Sequence, residues 1–237
     1  MSGIAWLFVG LLVFFVCAAA FTAVITPLRH STKVQFSIAA PPRSYVGVNS
    51  FDSTDGGATF DYVEAPGVPA DKAGLVGGDI ITSFDSQTIH GEDDIMELLG
   101  KTPIGKTVDV VYVRDGETKT TKLTTVSEQD YKSTVRTFQN RPEGRAQFGY
   151  DNDDTERVAI PGTKSHGVKL NKILTSRPAD LAGIKDGDIV IEFDGIPIRT
   201  SEEFNGRIRR ALPYSTVKVV VMRENERLEI PVKMGKQ

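Results

Sequence analysis

Polar and apolar positions divide the chain into one long apolar run followed by many short, alternating segments. Residues Ile4 to Leu28 carry no charge over 25 consecutive positions. A helix of that length rises roughly 37 Å at about 1.5 Å per residue, more than the roughly 30 Å hydrocarbon layer of a bilayer requires. The pattern therefore predicts a membrane-spanning helix. From residue 45 onward, apolar positions recur at the two-residue period of strands, broken by brief helical periods. Tyr45-Val46-Gly47-Val48 starts one strand and Thr59-Phe60-Asp61-Tyr62-Val63 alternates as a second, with the turn formers Asp52 to Gly57 as a loop between them. Pro69 suits the first position of a short helix, and Gly74 suits the left-handed position that ends it. Ile80 to Phe84 reads as a buried strand. Glu92 to Leu99 reads as a longer helix with Ile95, Leu98 and Leu99 on one face and Gly100 beyond its end. Val108 to Val113 and Thr118 to Thr124 close the unit around Arg114-Asp115-Gly116-Glu117, whose Asp-Gly pair is a hairpin signal.

The same order then returns. The run VPADKAGLVGGDII from Val68 aligns with RPADLAGIKDGDIV from Arg177 at an offset of 109 residues, with eight of fourteen positions identical. Phe84-Asp85 falls on Phe193-Asp194, Ile89 on Ile198 and Arg114 on Arg223. A constant offset through helix, turn and strand signals means two copies of one domain rather than one larger fold. In the second copy Thr200-Ser201-Glu202-Glu203 has capping-box spacing, and Phe204, Ile208 and Ala211 line the core face of the helix that follows. Each copy is thus an α+β unit of five or six short strands with one short and one longer helix, which predicts a small, partly open β-barrel. The predicted organisation is a transmembrane anchor over 1–30, a tether over 31–43, a first domain over 44–125, a linker over 126–144 and a second domain over 145–237. The linker reads as partly helical, with Tyr131, Val135 and Phe138 packing on a domain.

Composition narrows the function. The net charge is −3, from 28 basic and 31 acidic residues, with no Lys/Arg stripe, which disfavours nucleic acid as a partner. The only cysteine, Cys17, lies in the apolar run, so no intramolecular disulfide is possible and cysteine usage does not reveal the compartment. Ala18-Ala19-Ala20 offers a cleavage site, but Met1-Ser2-Gly3 lacks the basic residues of a signal peptide and the apolar run is long for a signal core. A retained single-pass anchor is the expectation, with residues 4–28 in the lipid bilayer. Arg29, His30 and Lys33 follow the span and, by the charge rule, place the domains in the cytoplasm.

The repeated Pro-Ala-x-x-Ala-Gly-Leu/Ile-x-x-Gly-Asp-Ile signature and the element order resemble the PDZ domain, in the permuted form attached to bacterial HtrA-type serine proteases and site-2 metalloproteases. The resemblance implies peptide capture: an extended segment, usually a C-terminal end, adds as a strand at a sheet edge, and its carboxylate sits on backbone amides of an x-apolar-Gly-apolar loop. The glycine lets successive amides point into one concavity without an obstructing side chain. On this pattern Val46, Gly47 and Val48, within Tyr45-Val46-Gly47-Val48, would hold the carboxylate, with Arg43 nearby as an attractor. Asn49 to Phe51 would pair with the peptide backbone, and Met96 and Leu99 would shape the pocket for the last side chain. Gln147, Phe148, Gly149 and Tyr150 match the loop in the second copy, but Asp151, Asp153, Asp154 and Glu156 follow at once and oppose a bound carboxylate by roughly a kcal/mol each.

No catalytic or metal-binding motif accompanies the repeats. His-Glu-x-x-His and Gly-Asn-Ser-Gly are both missing, and His30, His90 and His166 are isolated. The acidic run lacks the glycine and distal glutamate of a calcium loop. The expected function is therefore non-enzymatic and cofactor-free: a membrane-anchored adaptor for C-terminal or extended peptides. A membrane protease or larger membrane complex is the further expected partner, and the resemblance places the domains outside the cytoplasm, against the charge rule. The alternative is a docking subunit of such a complex with its grooves unoccupied.

Overall fold

The computed structural model describes residues 43–237. The predicted anchor and almost the whole tether lie outside the described residues, and among these no helix is long and apolar enough to cross a membrane. The first copy contains β1 (Asp52–Thr54), β2 (Gly57–Thr59), α1 (Pro69–Lys72), β3 (Ile80–Phe84), β4 (Gln87–Thr88), α2 (Glu92–Lys101), β5 (Thr107–Arg114) and β6 (Glu117–Thr124). Helix α3 (Glu128–Gln139) joins it to the second copy. That copy contains β7 (Ala146–Gln147), β8 (Thr155–Ala159), β9 (His166–Leu170), α4 (Pro178–Leu181), β10 (Ile189–Phe193), β11 (Ile196–Pro197), α5 (Ser201–Arg210), β12 (Thr216–Arg223), β13 (Glu226–Lys233) and β14 (Gly235–Lys236).

Each copy is built on an open antiparallel sheet, not the partly open barrel expected. The strand orders are β1-β2-β3-β5-β6, with β4 on β3, and β8-β9-β10-β12-β13, with β11 on β10. The segment that would close the first sheet, Tyr45 to Val48, makes only single bridges, Tyr45 to Val126 and Val48 to Val63. Gly47, at φ +87°, interrupts the extended backbone between them. The first hairpin is also displaced from its expected place. β1 and β2 lie within Asp52–Thr59, around Asp55-Gly56, and of Thr59 to Val63 only Thr59 is in a strand.

The strands follow their side-chain period. Along β5, Val108, Val110 and Tyr112 are buried while Thr107 and Asp109 face water. The pairing of β3 with β5 slips between Ile81 and Ser83, and that of β10 with β12 slips between Val190 and Glu192, so both copies carry the same irregularity. The repeated Asp and Arg of the signature also gain a role. Asp79 accepts two bonds from Arg114 (2.7 and 2.6 Å) and the Val76 amide (2.9 Å). Asp188 does the same with Arg223 (2.7 and 2.7 Å) and Lys185 (2.9 Å). In each copy a buried carboxylate ties the turn after the short helix to the far end of the long central strand. The arginine forks onto it, the geometry in which a charge-assisted pair is strongest.

Helix boundaries obey local chemistry. α2 runs through Gly100 and stops at Thr102, in extended conformation at ψ 126°, because Pro103 disfavours helical backbone in the residue before it. α3 is capped by Ser127, whose Oγ accepts the Asp130 amide (3.1 Å), and its Tyr131, Val135 and Phe138 pack on the first core. Thr200 caps α5 as expected, but the capping box is only half formed: the Glu203 carboxylate is directed toward the first copy instead.

Candidate functional site

The loop before β1 and the helix α2 enclose a groove in the first copy. Tyr45 to Val48 are held from several sides. The Tyr45 amide donates to Val126 (2.9 Å), the Val46 carbonyl accepts from Ala70 (2.8 Å) and the Gly47 carbonyl accepts from Glu64 (3.0 Å). Ser44 fastens the loop to the end of α2 through its Oγ on the Leu99 carbonyl (2.9 Å). Among the described residues, the amides of Val46, Gly47 and Val48 have no hydrogen-bond acceptor, although every flanking donor from Ser44 to Asn49 is used. Gly47 also could not carry a side chain here, since a Cβ would fall 2.4 Å from Val68 Cβ.

A cavity of about 360 Å³ opens against these three residues. The structure brings together there the first-copy residues singled out from sequence: Tyr45, Val46, Gly47, Val48, Asn49, Phe51, Met96 and Leu99, with Arg43 and Ser50 beside them. Phe51 and Leu99 belong mainly to the core, Phe51 standing edge-on to Phe60 at 6.3 Å. Asn49 uses its Oδ1 to accept the Asp61 and Tyr62 amides (3.2 and 3.1 Å). Arg43, Ser50, Glu92 and Tyr131 complete the rim. Tyr131 comes from the linker helix and stacks on Tyr45 with ring centroids 5.3 Å apart. Burial, and then a bond to the Glu64 carboxylate, push its hydroxyl well above the ordinary tyrosine range, so it stays a neutral donor. The amphipathic pattern of α3 was visible in the sequence, but nothing in it tied Tyr131 to the groove.

The second copy keeps the backbone frame and changes its contents. Gly149 lies at φ +99°, and the Phe148, Gly149 and Tyr150 amides again have no acceptor among the described residues. Here Tyr150 and Asn205 stand where the first copy has Val48 and Met96. The Tyr150 hydroxyl donates to Asn205 Oδ1 (2.5 Å), and Asn205 Nδ2 donates to Asn152. The Tyr150 ring lies 5.9 Å from Phe148 and 5.2 Å from Phe204. These side chains bridge the loop to α5 across the place where the first copy is open. Burial pushes the Tyr150 hydroxyl above its ordinary range. Of the acidic run, Asp151 is paired with Lys172 at 3.0 Å.

α5 also joins the copies. Glu203, 1% exposed, accepts the Val63 and Gly77 amides (3.3 and 3.0 Å) and pairs with Arg207 (2.5 Å). Thr200 Oγ1 donates to the Asp61 carbonyl (2.6 Å), Arg210 pairs with Asp71 (2.5 Å), and Arg199 forks onto Asp115.

The PDZ domain pattern matches residues 46–125 and again 140–234. The chain belongs to the PDZ domain family. The "probable periplasmic serine endoprotease DegP-like" protein of Pseudomonas fluorescens is 29% identical to it over 188 residues, covering 76% of this chain and 38% of that protein. The periplasmic serine endoprotease DegP of Escherichia coli is 27% identical over 126 residues, covering 53% of this chain and 24% of that one. This PDZ chain therefore spans well under half the length of these relatives. Among solved structures, the HtrA3 PDZ domain bound to a phage-derived ligand (FGRWV) is 22% identical, covering 38% of this chain and 89% of that chain at a TM-score of 0.32.

Proposed function

We propose that this tandem PDZ protein captures the C-terminal end of a polypeptide by strand addition, without catalysis, and that the first copy is the working site. The observation that carries the reading is the juxtaposition of three unpartnered amides at Val46, Gly47 and Val48 with an apolar cavity shaped by Met96 and Leu99. Unpaired backbone donors are uncommon where the chain is ordered, and an incoming carboxylate satisfies them together. Arg43 on the rim adds attraction for the same charge. The uncharged run Ile4 to Leu28 is the anchor that holds the site near a bilayer, and the periplasmic relatives favour the extracytoplasmic side. Delivery of captured chains to a membrane protease or larger complex fits this placement.

A C-terminal peptide library on the intact chain tests the mechanism. Binding is expected to fall at least tenfold when the selected peptide is amidated at its C-terminus; unchanged binding by the amidated form overturns carboxylate capture. A docking role is the second reading, favoured at the second copy, where Tyr150 and Asn205 occupy the groove and α5 grips the first copy.

A further inference from the structure

A second recess lies away from that groove, where the end of α3 meets residues of both copies. It encloses about 290 Å³ and is lined by Tyr62, Glu64, Phe138, Arg141, Arg145 and Arg209, among others. Its charge is unbalanced. Arg199, Arg207 and Arg210 are paired with Asp115, Glu203 and Asp71, whereas among the described residues Arg141, Arg145 and Arg209 enter no salt bridge. Gln237 donates its amide to the Arg145 carbonyl at 3.0 Å but forms no ion pair with that side chain. Glu64, the one carboxylate on the wall, enters no salt bridge with these arginines among the described residues.

The guanidiniums are also oriented. Arg141 lies over the Phe138 ring at 4.5 Å and Arg209 over Tyr62 at 5.4 Å. Stacking occupies the face of a guanidinium and leaves its N–H edge for a bidentate oxyanion. Arg141 is further fixed by bonds to the Gly144 (3.1 Å) and Arg209 carbonyls. Burial above all pushes Arg141 below its ordinary range, with Glu143 opposing and the adjacent Arg145 charge adding to the shift. Residues 1–42 contain no aspartate or glutamate, so their side chains offer no carboxylate to fill the recess.

We propose that this recess binds an acidic side chain of a polypeptide, at a site distinct from the carboxylate loop. The Arg145 and Arg209 edges would take the carboxylate, and the aromatic walls at Tyr62 and Phe138 would receive the apolar stem of a glutamate. This site needs no free C-terminus, so it stands or falls independently of the groove.

The test uses the full chain in a neutral detergent at low salt and a fluorescent peptide with three glutamates, acetylated and amidated to exclude terminal capture. Binding is expected to weaken at least tenfold in the double variant Arg145→Gln, Arg209→Gln. It is also expected to weaken when the glutamates are replaced by glutamine and to fall steeply with added salt, but to persist in Met96→Asn. The pair Arg145→Lys, Arg209→Lys keeps the charge and recovers part of the affinity, which separates recognition from misfolding. Equal binding by the Gln double variant or by the glutamine peptide overturns the proposal. So does a protein that binds inorganic phosphate but not the acidic peptide, since the recess would then serve a free anion.

Discussion

Two substitutions separate an open groove from a filled one. Val48 and Met96 leave space beneath the glycine loop, whereas Tyr150 and Asn205 at the matching places bond across it. Met96→Asn in the first copy should weaken binding of a free C-terminal peptide by about 1–2 kcal/mol, roughly tenfold, because the last side chain loses apolar contact; isothermal titration reads this directly. Gly47 is constrained more severely. Its positive φ and the 2.4 Å approach to Val68 make Gly47→Ala costly by about 2 kcal/mol or more in denaturant unfolding. Asp115 gives a residue-scale test with a pH readout. Partial burial alone would raise its carboxyl, but bonds from Arg199 and Ser165 outweigh burial and hold it below the ordinary range. The contact it makes with Arg199 is therefore fully present above the ordinary carboxylate range and is lost as pH falls through the lowered value. In Arg199→Ala the Asp115 titration, followed by carboxyl NMR, should move up toward an ordinary aspartate.

At the scale of elements, the same frame carries different contents, and the sequence displayed the frame better than the contents. The constant offset of the repeat, the short helix between Pro69 and Gly74, and the glycine loop were all legible because each depends on a local backbone requirement. The hairpin is not visible in the periodicity because β1 and β2 are short, polar at Asp52–Thr54 and show little alternation. The pattern suggests closure into a barrel because the bridges at Tyr45 and Val48 lie on one apparent strand, which the backbone turn at Gly47 interrupts. Tyr131 at the groove, and Tyr150 across from Asn205, depend on contacts between distant segments that no local period encodes. If the closure of the second groove is local to those side chains, then Tyr150→Val with Asn205→Met should open it. The double variant is expected to bind about two C-terminal peptides per chain where the parent binds about one, and an unchanged stoichiometry would mean that the backbone of the second loop, not its side chains, prevents entry.

Across the whole molecule, α5 has two roles at once: it forms one wall of the second groove, and residues at both its ends grip the first copy. Glu203 makes this attachment strong, because a carboxylate almost fully removed from water takes amide bonds from Val63 and Gly77 while pairing with Arg207. Removing one partner of a buried, hydrogen-bonded pair typically costs about 3–5 kcal/mol, since the remaining charge and donors are left unmatched. Glu203→Ala strands Arg207 and two amides, yet each copy retains its own core around Phe60 and Phe84 or around Phe148 and Phe204. Loss at the junction should therefore uncouple the copies rather than unfold either one. The parent chain is expected to unfold in a single calorimetric transition and Glu203→Ala in two, with the recess at Arg141, Arg145 and Arg209 losing its acidic ligand while the first groove keeps its own. A Glu203→Ala protein that still melts in one step would show that the remaining contacts, Arg210 on Asp71, Thr200 on Asp61, Arg199 on Asp115 and helix α3 through Tyr131 and Phe138, suffice to couple the copies.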